Sequence, residues 1–273
     1  MRVNANPATR QYAYNEYNLT RQMGMSLITK IAKNIQKVAY IVENPKLLFL
    51  KSRGGSIHIF KSLNQSWFKS LDIKTFIDIG ANCGQFTVTV NSVFPNSKIY
   101  SFEPLPDCFS KLQARMANVD KFKGFNIAVG NHEGSLEMEA NNFSQSSSLL
   151  KMTELHKTEF AQTAHSKPLK VEVRKLDTLA EEIDICDPLC IKIDVQGYED
   201  RVLQGGEKTI RRAKILIVET SFNELYKCQP LFYDIDEKLT SWQFMYAGSL
   251  GQLYSAKNGR ILQQDSLFIY RDV

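Results

Sequence analysis

Residues 75 to 87 read TFIDIGANCGQFT, an apolar run that ends in aspartate, turns through two glycines and enters helix-forming sequence. A strand that feeds a helix through so short a turn returns to its sheet by a crossover, and the crossover places the next strand parallel to the first. The same alternation then recurs. KIYSFEP (98–104), FKGFNIAVG (122–130), LCIKIDV (189–195) and KILIVET (214–220) are further apolar runs. Amphipathic stretches lie between them at 85–93, 105–119, 198–211 and 232–241. Near-continuous apolar strands alternating with helices predict a doubly wound, mostly parallel α/β sheet covered on both faces.

Two segments depart from this alternation. Residues 131–176 form a long insertion that is expected to start with a hairpin and that holds SQSSSLL, and the chain ends in SLFIYR, a predicted antiparallel strand. Before Thr75 the pattern is different. Residues 1–18 are rich in Tyr and Asn without periodicity, and read as an arm. From Leu19 to Val42 apolar residues recur every three or four positions, which predicts one helix with Arg21, Lys30, Lys33 and Lys37 on its other faces. LLFLKSRGGSIHIFKS follows, read as two short strands around Gly54 and Gly55.

Charge divides at the same place. The net charge of +5 is distributed as 12 basic and 3 acidic residues in 1–74, against 22 basic and 26 acidic from 75 onward. The expected organisation is therefore a basic arm and helical extension over 1–74 and an α/β domain over 75–273. Five cysteines without a CxxC pair, and four histidines without metal spacing, predict reduced thiols and no metal site. The chain has no apolar stretch of spanning length and no h-region, so the expected compartment is the cytoplasm.

The turn Gly80-Ala81-Asn82-Cys83-Gly84 is GxxxG, not the GxGxxG of a dinucleotide fingerprint. Its backbone N–H groups and the helix N-terminus suit a small anion such as an amino-acid carboxylate. Glu103, about twenty residues on and at the end of the next strand, is placed to accept the two hydroxyls of a ribose. Either motif alone also fits an ordinary loop; together they describe a nucleoside site.

DIGANCGQFT, FEP, NIAVGNHEGS, SSSLLKM, VRKLDTL, IKIDVQGYEDRVLQGG, IVETSFNELYKCQPLF and QQDSLFIYR occur in that order. This series resembles the FkbM family of S-adenosylmethionine-dependent methyltransferases over about residues 75 to 271. The resemblance implies a Rossmann-like class I methyltransferase sheet of seven strands with the last inserted antiparallel. It also implies methyl transfer to a hydroxyl, often on a sugar or a polyketide. Asp78, Gly80, Ala81, Asn82, Gly84 and Phe86 would then hold the methionine end of the cofactor, and Glu103 and Pro104 its ribose. Asn126 and Ala128 would lie beside the adenine, Asn126 with a turn cap as its equal alternative.

Asp194 ends LCIKID at the carboxyl edge of the sheet, where donor and acceptor meet in this topology, and is the expected catalytic group. Burial is expected to raise its pKa and so suit it to accept the hydroxyl proton; orienting the cofactor ammonium or capping the next helix is the rival role. Glu199 and Glu219 read as structural or substrate-orienting groups, and His132 as a surface-loop residue. Ser144, Ser146, Ser147 and Ser148 could fold over the site and select the acceptor, or form a polar loop.

The function expected is O-methyl transfer to a sugar hydroxyl of a glycan or glycosylated metabolite. The alternatives are a nicotinamide-dependent oxidoreductase and a non-catalytic binding protein that uses the basic arm. The expected partners are a small-molecule or glycan acceptor and no nucleic acid. For the basic helix two readings stay open: packing on the body or on a second copy, and contact with a lipid-linked substrate or membrane surface.

Overall fold

The computed structural model describes residues 32, 35, 42–141, 148–159, 166–255 and 257–271. The helix expected over 19–42 and residues Ser144, Ser146 and Ser147 lie almost wholly outside that set. Two compact units are distinguished, 1–49 and 50–273. In the first, Ala32, Ile35, Val42 and Glu43 are helical.

The helices are α1 (Lys46–Ser52), α2 (Ile57–Leu63), α3 (Ser66–Ser70), α4 (Gln85–Val93), α5 (Pro106–Met116), α6 (Glu154–Glu159), α7 (Leu176–Ala180), α8 (Glu199–Gly205), α9 (Glu207–Ile210) and α10 (Phe232–Ser241). The strands are β1 (Thr75–Ile79), β2 (Lys98–Phe102), β3 (Phe122–Phe125), β4 (Ala128–Gly130), β5 (Gly134–Asn141), β6 (Ser166–Lys175), β7 (Leu189–Ile193), β8 (Ala213–Ser221), β9 (Phe244–Tyr254) and β10 (Ile261–Tyr270). Seven of them form one sheet in the order β3-β2-β1-β7-β8-β10-β9. β10 runs antiparallel to both its neighbours, and the other pairings in that sheet are parallel. The expected doubly wound sheet, with the last strand inserted antiparallel, is what the chain forms.

The centre of the sheet follows from composition. Every residue of β1 and β7 is buried, including Asp78 and Lys192, because helices cover both faces. Ile77, Ile79, Ile191, Ile193, Leu216 and Val218 form its apolar core with Val202 and Leu239 from the helices. Each such side chain contributes about 2 kcal/mol through burial. The order reverses between β1 and β7, so their carboxyl ends bound the crevice where ligands sit in such sheets.

Four expectations change. LLFLKSRGGSIHIFKS forms α1 and α2 rather than two strands. The alternation in IHIF imitates a strand, but Ser56 Oγ accepts from Ile59 N at 3.3 Å as an N-cap, and Phe60 and Leu63 are buried one helical turn apart. The run 122–130 splits into β3 in the large sheet and β4 in a second sheet, β4-β6-β5. Asn126 makes the break, its Nδ2 donating to the carbonyls of Glu103 (2.8 Å) and Pro104 (3.0 Å). The hairpin expected at the start of the insertion joins its two ends instead, β5 with β6. The helix over 198–211 divides at Gly205 and Gly206; a Cβ on Gly205 would lie 1.9 Å from the Gly130 carbonyl, so only glycine permits this approach of α8 to β4.

Candidate active site

A cavity of about 450 Å³ opens at the carboxyl ends of β1, β2, β7 and β8. Of the residues expected to bind or react, Asp78, Gly80, Ala81, Asn82, Phe86, Glu103, Pro104, Ala128 and Asp194 line it. Gly84 and Asn126 do not. Gly84 has a positive φ of 87° at the start of α4 and packs against Leu112, while Asn126 is occupied with the two carbonyls that part β3 from β4.

The glycine turn is held from three sides. Gly80 N and Ala81 N donate to Phe102 O at 2.9 and 3.0 Å, and Asp194 N donates to Ile79 O at 3.0 Å. Gly80 has a φ of 80°, and a Cβ there would fall 1.8 Å from the Asp194 carbonyl oxygen. Asn82 N donates to Glu103 Oε2 at 2.7 Å, Leu105 N to Glu103 Oε1 at 2.9 Å, and Cys83 N to Asn82 Oδ1 at 2.6 Å. The turn's own N–H groups are therefore spent within the protein. What faces an anion is the first turn of α4, where Gln85 and Phe86 line the cavity. Glu103 ties β2 to the turn and keeps further acceptor capacity on each oxygen. Burial pushes its pKa up to about 7.

Asp78 is fully buried. Its Oδ2 accepts from Thr87 Oγ1 at 2.7 Å, and Thr87 in turn meets Ser101 Oγ at 2.8 Å. Its Oδ1 has no hydrogen-bond partner among the described residues. A buried acceptor left this way is costly unless a ligand donor meets it.

Across the crevice lies a second polar group. Lys192 Nζ donates to Asp194 Oδ2 at 2.7 Å, and Gln196 Nε2 donates to Asp194 Oδ1 (2.9 Å) and Glu219 Oε2 (2.6 Å). Gln263 Nε2 reaches the same Glu219 oxygen at 3.1 Å, and Tyr226 Oη donates to Gln196 Oε1 at 3.0 Å. Burial alone would lower the Lys192 ammonium's pKa, but Asp194, Asp78 and Asp265 raise it on balance.

The expected raised pKa of Asp194 is not found. Burial acts to raise it, yet the Lys192 charge and the hydrogen bonds it accepts hold it below the ordinary carboxylate value. The carboxyl whose pKa is raised well above its usual value is Glu219, through burial and the charges of Asp194, Glu199 and Asp265. Glu199 does not line the cavity. Its Oε1 accepts from Val195 N and Gly197 N, both at 3.1 Å, and so shapes the turn after β7.

The insertion does reach the site. Ser148 is buried, donates to the Gln196 carbonyl at 2.5 Å, and carries Leu149 into the cavity wall. His156 on α6 is also buried in that wall, 4.9 Å from the Tyr226 ring. His132 bonds Asn131 Oδ1 at 3.1 Å, away from the cavity. Lys192, Gln196, His156, Gln263, Asp265 and Ile59 were not expected in the site. For Lys192 a signal existed: a lysine inside an otherwise apolar run, with an aspartate two residues on and so on the same face, reads as a buried ion pair. No set of His, Cys, Asp and Glu among the described residues is arranged to hold a metal ion. Nor is any helix there long and apolar enough to cross a membrane.

Among relatives, the chain is 26% identical over 175 residues to 2-O-methyltransferase NoeI of Sinorhizobium fredii, a match that covers 62% of this chain and 72% of that protein. It is also 26% identical over 142 residues to hexuronic acid methyltransferase AglP of Haloferax volcanii, covering 52% of this chain and 54% of the relative. Of solved structures, the METTL16 MTase domain superposes with a TM-score of 0.43 at 14% identity, over 79% of this chain and 66% of that one. The model of the methyltransferase FkbM domain matches residues 78–246, from the aspartate of the glycine turn into β9, and the chain belongs to that methyltransferase family.

Proposed function

We propose that this protein is an S-adenosylmethionine-dependent O-methyltransferase acting on a sugar hydroxyl of a glycan or glycosylated metabolite, working in the cytoplasm. The observation that carries the donor is the unpartnered, fully buried Asp78 Oδ1 in a cavity whose glycine turn admits no side chain at Gly80. An amino-acid ammonium is the donor such an oxygen lacks, and the first turn of α4 suits the carboxylate of the same moiety. We assign Glu103 to the ribose hydroxyls and the apolar walls at Ile127, Ala128 and Val129 to an adenine, all of which line the cavity. When bound, S-adenosylmethionine supplies an activated methyl group.

Asp194 is the group assigned to the acceptor oxygen. An alcohol oxygen becomes strongly acidic as it gains a methyl group, so an ionised carboxylate of low pKa takes up its proton while the C–O bond is forming. Lys192 keeps Asp194 ionised, and Gln196 fixes its orientation. General-base assistance of this kind contributes about 10²- to 10⁴-fold, and positioning supplies the remainder. Of the relatives' names, 2-O-methyltransferase supports transfer to an oxygen and hexuronic acid methyltransferase supports a sugar acceptor.

The test is transfer of labelled methyl from S-adenosylmethionine to a panel of glycosides, nucleotide sugars and lipid-linked glycans, alongside calorimetric binding of the cofactor. We expect saturable binding and at least one methylated sugar. A wild-type chain that binds NAD but not S-adenosylmethionine would overturn the proposal in favour of an oxidoreductase.

A further inference from the structure

The side of the cavity walled by β8, β9, β10 and α2 has a distinct composition. Its polar residues are Asp194, Gln196, Glu219, Gln263 and Asp265, and its apolar walls are Ile59 from α2 and Leu253 from β9. Asp265 and Glu219 are directly paired across β10 and β8, so both project from adjacent strands at one level of the sheet. Glu219 is engaged by Gln196 and Gln263. The Asp265 carboxylate, by contrast, makes no hydrogen bond with any described residue, although it lines this cavity. His58 of α2 approaches from behind, across Gly251: a Cβ on that glycine would lie 3.0 Å from His58 Nε2 and 3.1 Å from Asp265 Oδ2.

Positive charge is scarce here. Among the described residues, Lys192 is the one Lys or Arg in the cavity wall, and its ammonium is already paired with Asp194. His156, the histidine in that wall, has its pKa lowered by burial and so stays neutral at neutral pH. A carboxylate or phosphate on the acceptor ring would enter beside the Asp194 charge and beside Asp265, whose pKa burial raises, with no unpaired Lys or Arg of the wall to meet it; like-charge juxtaposition of that kind is a strong means of rejecting a ligand. Hydroxyl groups, in contrast, donate to carboxylates, and the C–H faces of a sugar ring suit Ile59 and Leu253.

We propose that the acceptor is an uncharged polyhydroxylated ring, anchored by a hydroxyl that donates to Asp265, and that rings bearing a carboxylate or phosphate are excluded. This rests on the O-methyltransferase reading and narrows its substrate class. It also separates this chain from a relative whose name specifies a hexuronic acid.

Matched glycosides decide the matter: the hexoside, the hexuronide and the 6-phosphate of each of several sugars, assayed for methyl transfer and for calorimetric binding to the enzyme loaded with S-adenosylhomocysteine. The neutral member of each set of three should lead both charged members by about ten-fold or more in kcat/KM and in affinity. Asp265→Asn should lower the neutral sugar's kcat/KM by about ten-fold and narrow the discrimination to within about three-fold, with cofactor affinity unchanged. A hexuronide or phosphate that equals or beats its neutral partner overturns the proposal, as does an Asp265→Asn variant with wild-type discrimination. Either result leaves the O-methyltransferase reading standing, whereas failure to bind S-adenosylmethionine removes that reading itself.

Discussion

The two ends of the cavity are built on different plans. At the glycine-turn end the wall comes from three short stretches, 78–86, 102–105 and 127–129, and its geometry is set by backbone N–H groups: Gly80 and Ala81 on the Phe102 carbonyl, Asn82 and Leu105 on the single side chain of Glu103. At the other end, side chains from α2, α6, β7, β8, β9 and β10 meet across the sheet, and a relay of Lys192, Asp194, Gln196 and Glu219 holds them. A wall built from backbone depends on few positions, here Gly80 and Glu103, and keeps its shape when the side chains around them vary. A side-chain wall changes with a single substitution, so one end of the cavity can stay constant while the other is respecified. The cofactor, which does not change between acceptors, is assigned to the first, and the acceptor to the second.

The hardest blow to this contrast is a side chain at Gly80. Gly80→Ala combines a φ of 80° with a Cβ 1.8 Å from the Asp194 carbonyl, and the backbone just after β7 must yield. We expect a loss of about 3 kcal/mol or more in thermal unfolding, and no measurable S-adenosylmethionine binding by calorimetry.

Asp194→Asn acts on the other end. Turnover should fall by about 10²-fold or more while cofactor affinity stays within about three-fold. Were affinity to fall as far as turnover, Asp194 would belong to the cofactor end and the contrast would fail there.

Two glutamate-to-glutamine changes sharpen the contrast further. Glu103 uses one oxygen for Asn82 N and the other for Leu105 N, so Glu103→Gln must set an amide NH₂ against a backbone N–H. It should cost about 1–3 kcal/mol and weaken cofactor binding. Glu199 receives both Val195 N and Gly197 N on Oε1, so a glutamine can keep both bonds.

Burial pushes the Glu199 pKa up from 4.5 to about 7, so the folded chain holds a proton there that the unfolded chain releases. Its stabilising contribution is full below pH 4.5 and is lost as pH rises through about 7. Glu199→Gln should therefore match the wild type at pH 4.5 and melt higher at pH 8, by about 2 kcal/mol. Equal melting temperatures at pH 8 would show that Glu199 is ionised at little cost.

The glycine-turn end was legible because its residues are neighbours in the chain. Asp78, Gly80 and Glu103 announce themselves through local pattern, since a turn that needs positive φ calls for glycine and the end of a parallel strand is a fixed place in the fold. Gly84 and Asn126 belong to the same pattern but serve packing and a strand break, which their spacing does not distinguish from ligand contact. The other end was largely hidden. Lys192 was within reach, as a buried lysine two residues before an aspartate. Asp265 and Gln263 were not, because their role depends on β10 entering antiparallel between β8 and β9, with Asp265 opposite Glu219. β9 itself escaped, its FMYAGSLGQLY being broken by glycines and mostly exposed.

By itself, then, the sequence determined the alternation of strands and helices, the parallel core, the glycine turn and the family to which the chain belongs, because each of these is written in local period and spacing. Which carboxyl group in the crevice has its pKa raised, and which has it lowered, was decided only by the tertiary structure. Asp194 and Glu219 are both acidic residues at strand ends, and what separates them is Lys192 beside one and burial among like charges for the other. Those are through-space quantities, and no spacing along a chain contains them.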